Sequence, residues 1–374
     1  MTQRLPSLTS LRWFAALIVF GTHIFPLIEG SSLERGFHRI GEHGAVGVSF
    51  FFVLSGFVLA WTYRDGDSAR AFYLRRFARI APAYWAASIL AFVVIAGVES
   101  DLTPSRVARA MFSFVALQSW IPDSRAYLGG NPVGWSLSDE MFFYALFPLI
   151  IVPAFRASRR SLLVAAAGCV LFTAVVAPLA LAPGNASDGF RLWALKISPV
   201  VRISEFILGI ALALLLRSGA RLPRRRALTW CAVASSIAAY AAAGWAPTYL
   251  ALGSLTLVPF SLLIVCFAQR DMDGETGWLH SPVLITLGLW SFCFYLVHQL
   301  VIRVIADVVT ITGGPAVRLG YVALSLLFAI GISAAMYRVI EHPLERRLRG
   351  RSRRGGATQP AQPPVSAEVA TSPG

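Results

Sequence analysis

The chain has 374 residues, 56% of them hydrophobic and only 14% charged, against about 25% charged in an ordinary soluble domain. That excludes a string of soluble domains and leaves a polytopic membrane protein. The net charge of +14 would suggest nucleic acid in a soluble protein, but these arginines sit in short stretches between apolar runs, as the positive-inside rule requires, so no nucleic-acid partner is expected.

A membrane-crossing helix needs about 20 mainly apolar residues. Ten runs qualify, at 10–28, 45–63, 81–98, 138–155, 161–182, 199–216, 227–244, 247–268, 283–306 and 317–340. The fold class is therefore an all-α bundle of about ten spanning helices. The first run has no small-residue cleavage site before Pro26 and reads as an uncleaved helix. Segment 104–121 carries Arg106 and Arg109 on one face and Met111, Phe114 and Val115 as an apolar patch, so an interfacial or re-entrant helix fits it better than a span.

With the N-terminus inside, the inner stretches hold Arg4, five arginines in 64–79, three in 156–160, five in 217–226, Arg270 and six in 346–354. The outer ones hold two in 30–44, three in 99–137 and two in 183–198, one of which is Lys196, the lone lysine. This bias, with even helix parity, puts both termini in the cytoplasm. Residues 1–345 form the membrane domain, and 346–374 read as a basic, then disordered, cytoplasmic tail rich in Gly, Pro, Ala and Ser. Cys169, Cys231, Cys266 and Cys293 all lie in apolar runs without a C-x-x-C pair, and the histidines give no H-E-x-x-H template, so no metal site or bound cofactor is expected.

Four polar features interrupt the apolar pattern. In LRWFAALIVFGTHIF (11–25), Arg12 and His23 are eleven residues apart. At 100° per residue they share a face, but about 16 Å of rise separates them, so they cannot pair. Arg12 alone fits a snorkelling anchor and His23 a helix–helix hydrogen bond; ionisable groups at membrane depth also mark functional sites, and imidazole suits proton transfer. In YLRRFARIAP (73–82), Arg76 and Arg79 share a helical face in the first inner loop. Paired guanidinium forks suit phosphate, on a ligand or on lipid headgroups. In GWSLSDEMFFYALFP (134–148), Ser136 and Asp139 fit a capping box, whereas Glu140 is one step deeper and begins the apolar face. In SFCFYLVHQ (291–299), Ser291, Tyr295 and His298 form a polar stripe, either a packing seam or a lined cavity.

Taken together, these segments resemble the integral-membrane acyltransferase family 3, of the O-acetyltransferase type, from about residue 5 to 345. The resemblance rests on Arg12-x10-His23, on F-F-V-L-S-G-F at 51–57, on Arg76-x-x-Arg79, on W-S-L-S-x-E-x-x-F-Y from Trp135 to Tyr144, on S-x-x-x-Y-L-x-H at 291–298, and on Glu341-His-Pro343-Leu344. Two family acids are replaced, by Ser49 and Met141, and the C-terminal esterase-like domain of many relatives does not follow. The resemblance implies a multi-pass enzyme of a bacterial cytoplasmic membrane. It would move an acyl group, usually acetyl, from acyl-CoA to a hydroxyl of a glycan or glycosylated small molecule, as in polysaccharide O-acetylation. It implies Arg12, Arg76 and Arg79 as the acyl-CoA-binding residues and His23 as general base or acyl carrier. Glu140 would orient His23 or contact the acceptor, and Ser136, Ser291, Tyr295 and His298 would line the cavity.

A transporter or flippase of a lipid-linked or glycosylated solute is the competing reading, since ten helices with intramembrane polar groups suit one. Against it, the 19 acidic residues lie mostly in loops or near helix ends, and no inverted repeat is visible.

Overall fold

The computed structural model describes residues 3–25, 44, 46–98, 103–181, 184–185, 187–223, 226–246, 254–309 and 314–347. Most of the expected outer loop 30–44, with His38 and His43, the first seven residues of the expected span 247–268, and the tail from 348 lie outside the described residues.

Among the described residues every regular element is helical, because a helix satisfies its own backbone groups where no water can do so. The helices are α1 (Pro6–Ile24), α2 (Val46–Thr62), α3 (Ala69–Val98), α4 (Pro104–Phe114), α5 (Trp135–Phe155), α6 (Arg159–Ala180), α7 (Asp188–Arg217), α8 (Arg226–Ala243), α9 (Leu257–Met272), α10 (Pro282–Val308) and α11 (Pro315–Arg347). Proline opens α1, α4, α10 and α11, where its missing N–H costs nothing. Ser158 caps α6, its hydroxyl accepting from the Ser161 N–H at 3.1 Å.

Seven of these helices, α1, α3, α5, α6, α7, α10 and α11, are long and apolar enough to cross a membrane. The three other expected spans are present as α2, α8 and α9, with 17, 18 and 16 residues. At 1.5 Å per residue they reach about 24–27 Å, short of the roughly 30 Å hydrocarbon core. At 11 residues α4 is shorter still, in keeping with the interfacial or re-entrant reading of 104–121.

Two expectations need correction. Arg75, Arg76 and Arg79 are not in a loop but in the first turns of α3, which runs on through Pro82; neighbouring helices relieve the proline's missing bond in a membrane bundle. Lys196 is not in an outer loop either. It belongs to a π-helical turn, Trp193–Ile197, within α7. Apolar Trp193, Ala194, Leu195 and Ile197 around it supply the burial that pulls this turn into the bundle.

Contacts fix the helix directions. α10 runs parallel to α1, with Trp13 against Phe294 and His23 against His298. α2 runs antiparallel to α1, with Gly47 beside Ala15 and the Trp61 indole donating to the Gln3 carbonyl. α7 runs parallel to α2, since Arg202 reaches Ser49 and Arg217 reaches Ala60.

Glycine permits the closest of these approaches. A Cβ at Gly209 would fall 2.0 Å from the Val53 carbonyl oxygen, one at Gly56 2.0 Å from that of Phe206, and one at Gly288 2.0 Å from that of Thr9. Gly209→Val or Gly288→Val should therefore prise two backbones apart and abolish monodisperse folded protein on size exclusion. Gly168→Ala, with nothing within 4 Å of the added carbon, should leave the thermal midpoint unchanged or raise it slightly, by helix propensity.

Candidate functional site

The site begins where α5 begins. Ser136, in the first turn of α5, has its hydroxyl 2.7 Å from that of Tyr295 on α10. Tyr295 is thirteen residues before the end of α10, about 20 Å at 1.5 Å per residue. Helix α5 therefore starts deep inside the bundle, and the segment ahead of it folds down into the protein. Asn131 donates to the Leu296 carbonyl at 2.8 Å, and Gln118 donates to the Tyr84 hydroxyl at 3.2 Å, both fully enclosed.

This geometry overturns the capping box. The N-cap is Gly134, so Ser136 is already helical and turns to Tyr295 instead. Asp139 is completely buried, beside Ser119, Arg202 and Glu205. Glu140 accepts from the Ser55 hydroxyl at 2.9 Å and from the Tyr144 hydroxyl in a short hydrogen bond. Its charged neighbour is Arg12, which also faces Arg76 and Arg79.

Arg12, Glu140, Ser136, Ser291 and Tyr295 line one cavity of about 60 Å³, walled by Phe51, Phe52 and Phe292. That is room for a few waters. Toward the helix end that carries the arginines opens a larger cleft of about 690 Å³, with Arg64, Arg75 and Arg76 on its wall beside Phe72 and Phe147. Arg76 stacks over the Phe72 ring at 6.0 Å, and Phe72 touches Tyr144. Phe72 on the cleft wall and Tyr144, bonded to Glu140 of the cavity, thus stand between the two.

Arg79 is placed differently from Arg76. It forms an ion pair with the buried carboxylate of Glu341, with Glu345 3.8 Å away. Glu341 also accepts from the Cys293 thiol at 3.0 Å. The Glu341-His-Pro-Leu segment at the end of α11 therefore clamps α11 to α3 and α10, and the guanidinium of Arg79 is the handle it holds.

His23 lies one level up, where the geometry separates it from Glu140. Its ring centroid is 5.3 Å from that of His298, and its other charged neighbours are Lys196 and Arg303. His298 is wholly buried, and its Nδ1 is 2.8 and 3.1 Å from the carbonyl oxygens of Tyr295 and Phe294. Carbonyls only accept, so Nδ1 carries the proton in the neutral ring and Nε2 keeps its lone pair. That Nε2 is buried and has no hydrogen-bond partner among the described residues. The polar stripe of α10 thus runs from Ser291 at the arginine cavity, through Tyr295, to His298 at His23.

A second buried ion pair lies behind the site. Arg202 and Glu205, three apart on α7, meet at 2.6 Å, and Arg202 also donates to Ser49 at 3.1 Å and stacks on Phe52 at 5.1 Å. Glu205 is also within hydrogen-bonding reach of Ser49, at one replaced acid. Neither Arg202 nor Glu205 stood out beforehand, although charges three apart within V-R-I-S-E-F are the signal to look for in an apolar helix. Met141, at the other replaced acid, is 38% exposed on the outside of the bundle and away from the cavity.

An acyltransferase-domain model matches residues 5–338. The chain belongs to this acyltransferase family. It is 38% identical over 318 residues to the acyltransferase MdmB of Streptomyces mycarofaciens, covering 80% of this chain and 79% of that one. It is 32% identical over 336 residues to the exopolysaccharide production protein ExoZ of Rhizobium meliloti (strain 1021), covering 84% and 94%. It is 25% identical over 196 residues to the peptidoglycan O-acetyltransferase OatA of Listeria monocytogenes, covering 48% of this chain and 30% of that one. No solved structure matches.

In this acyltransferase the clamp on Arg79 is testable by itself. Removing one partner of a buried ion pair costs about 3–5 kcal/mol, whereas replacing both with apolar groups is often neutral. Glu341→Gln should lower the thermal midpoint in detergent sharply, and Arg79→Leu/Glu341→Leu should recover much of it. Equal midpoints for Glu341→Gln and wild type would show that the clamp is not structural.

Proposed function

We propose that the protein transfers an acyl group, acetyl in the first instance, from cytoplasmic acyl-CoA to a hydroxyl of a glycan or glycosylated small molecule. The observation that carries this reading is the imidazole pair, His23 and His298, at the far end of a polar path that starts among arginines. Two relatives carry polysaccharide-related names, ExoZ and OatA, which supports a carbohydrate acceptor. Membership in an acyltransferase family weighs against the transporter reading. The protein would sit in the bacterial cytoplasmic membrane with ten crossings and both termini inside, as its basic stretches suggest.

The CoA phosphates would bind at the cleft of Arg64, Arg75 and Arg76, where guanidinium forks suit phosphate oxygens. Arg12 would hold charge near the entry, and Arg79 would contribute through its grip on Glu341. The pantetheine arm then passes Glu140 and the Ser136–Tyr295 pair toward His23. There His23 acts as general base: it takes the proton of the acceptor hydroxyl as that oxygen attacks the thioester carbonyl. The C–S bond breaks, and the departing CoA thiolate takes up a proton. The lone pair of His298 Nε2 accepts a proton from His23 or holds a bound water. Glu140, tied to Ser55 and Tyr144, offsets part of the charge of the arginine cluster and positions the donor.

Purified protein incubated with radiolabelled acetyl-CoA and a glycan acceptor tests the reading. Transfer of label should be lost on the order of 10²–10⁴-fold in His23→Ala, the usual range for a general base. Arg76→Gln should raise KM for acetyl-CoA with little change in kcat, since it removes binding felt equally in ground and transition states. Full activity of His23→Ala at normal protein level would sink the assignment, and solute movement without donor consumption would favour the transporter.

A further inference from the structure

The site occupies one face of α1, and a second face of the same helix lines something else. A groove of about 610 Å³ runs along α1 from Leu11 to Phe25, closed by α8 and α9, with Tyr240, Phe260 and Phe267 among its walls. At 100° per residue its stripe on α1 (Leu11, Ala15, Ile18, Phe25) is about 115° from that of Arg12 and His23. Its nearest approach to the catalytic path is Phe20, which lines the groove and also packs on His298. Its length on α1, about 20 Å by helix rise, somewhat exceeds one leaflet of a roughly 30 Å hydrocarbon core.

The groove opens at one end into a second chamber of about 240 Å³, and the two share Val233, Phe267 and Trp278. The chamber wall is still largely apolar, but unlike the groove it carries charged side chains, Glu275 among them. Arg226, Arg270 and His280 line it, with Thr229 and Ser7. His280 Nε2 is engaged with Asp271 at 3.1 Å, and Arg270 meets Glu275 at 3.0 Å. Arg226 is exposed and has no ion pair or hydrogen bond among the described residues. Trp230 and Trp278, 63% and 60% exposed, flank the mouth, and such indoles mark the level where headgroups lie.

An apolar shaft of leaflet length that ends at arginines between two interfacial tryptophans has the shape and charge of one ligand class. We propose that this slot binds an anionic phospholipid of the leaflet facing the arginine-rich end. Its phosphate sits between Arg226 and Arg270, and its acyl chains lie along α1 against Tyr240 and Phe267. A zwitterionic lipid would fill the shaft as well but would bring a cationic headgroup to the arginines.

Native mass spectrometry of the full-length protein, released from neutral detergent, tests this. Phosphatidylglycerol and phosphatidylcholine of identical chains are offered together. One phosphatidylglycerol should be retained with a preference on the order of tenfold, the scale of two basic side chains acting on one headgroup. Arg226→Gln/Arg270→Gln should lose the preference and bind both lipids alike. Ile237→Trp, which fills the shaft from an exposed position and leaves the arginines in place, should lose retention of both. Glycerol phosphate in excess should not displace the lipid. Equal retention of the two lipids by the wild-type protein overturns the proposal, whatever the variants do. So does a preference that survives removal of both arginines, retention that survives Ile237→Trp, or displacement by glycerol phosphate. None of these outcomes depends on transfer activity.

Discussion

The whole arrangement hangs on backbone contact between helices. Lipid tails are as apolar as leucine, so helices in a membrane gain nothing from hiding apolar surface; they associate where small residues let backbones touch. Gly288 brings α10 onto α1 near the start of both, and Gly56 with Gly209 does the same for α2 and α7. Because α1 and α10 run parallel from that contact, residues at matching heights stay together. Trp13 meets Phe294, and further on His23 meets His298. The two histidines, fourteen residues beyond Thr9 and ten beyond Gly288, are neighbours because Gly288 carries no side chain to hold the helices apart where they first meet.

Close packing then makes charge expensive, and the bundle answers by pairing. Arg202 with Glu205 and Arg79 with Glu341 are neutral units, each tying two or more helices. Each is costly to break because the surviving charge would be left unpaired away from water. Glu140 follows the same logic less completely. It is held by two hydroxyls and faces a cluster of three arginines, so that cluster keeps an excess of positive charge. An excess of that kind, at the inner end of an arginine-lined cleft, would suit the anionic donor of the proposed reaction.

Much of this was legible in the sequence because helix periodicity carries it. Apolar runs located the helices, and spacing put Arg12 with His23 on one face and Ser291, Tyr295 and His298 on another. What periodicity cannot say is which residues of different helices share a height. Glu140 looked like a partner for His23 because it enters from the opposite side; in fact α5 starts about 20 Å below the end of α10, and that recess carries Glu140 down to the level of Arg12. Lys196 looked like a loop residue because Ser198 and Pro199 follow it, yet its turn is folded into the bundle. Ser136 and Asp139 fitted a cap by spacing alone, and a helix start buried in protein has other partners for such groups. Glu341 came from a short terminal motif whose role only the contact with Arg79 discloses.

The depth of the imidazole pair bears on why such an enzyme would transfer to an acceptor and not to water. A thioester brought to a general base in solution loses its acyl group to the most abundant nucleophile. Here His298 is sealed against solvent and the aromatic rings of Phe20 and Phe294 press on it at 6.2 and 5.7 Å. The cavity below, which Tyr295 lines, has room for only a few waters between Phe51, Phe52 and Phe292. Excluding water from the reacting centre suppresses hydrolysis and strengthens each remaining electrostatic contact. On the proposed reading, binding at the arginines and chemistry about 16 Å along α1 would achieve this with one helix. Arg12 would face the charged end of the donor, and His23 would wait where water is scarce.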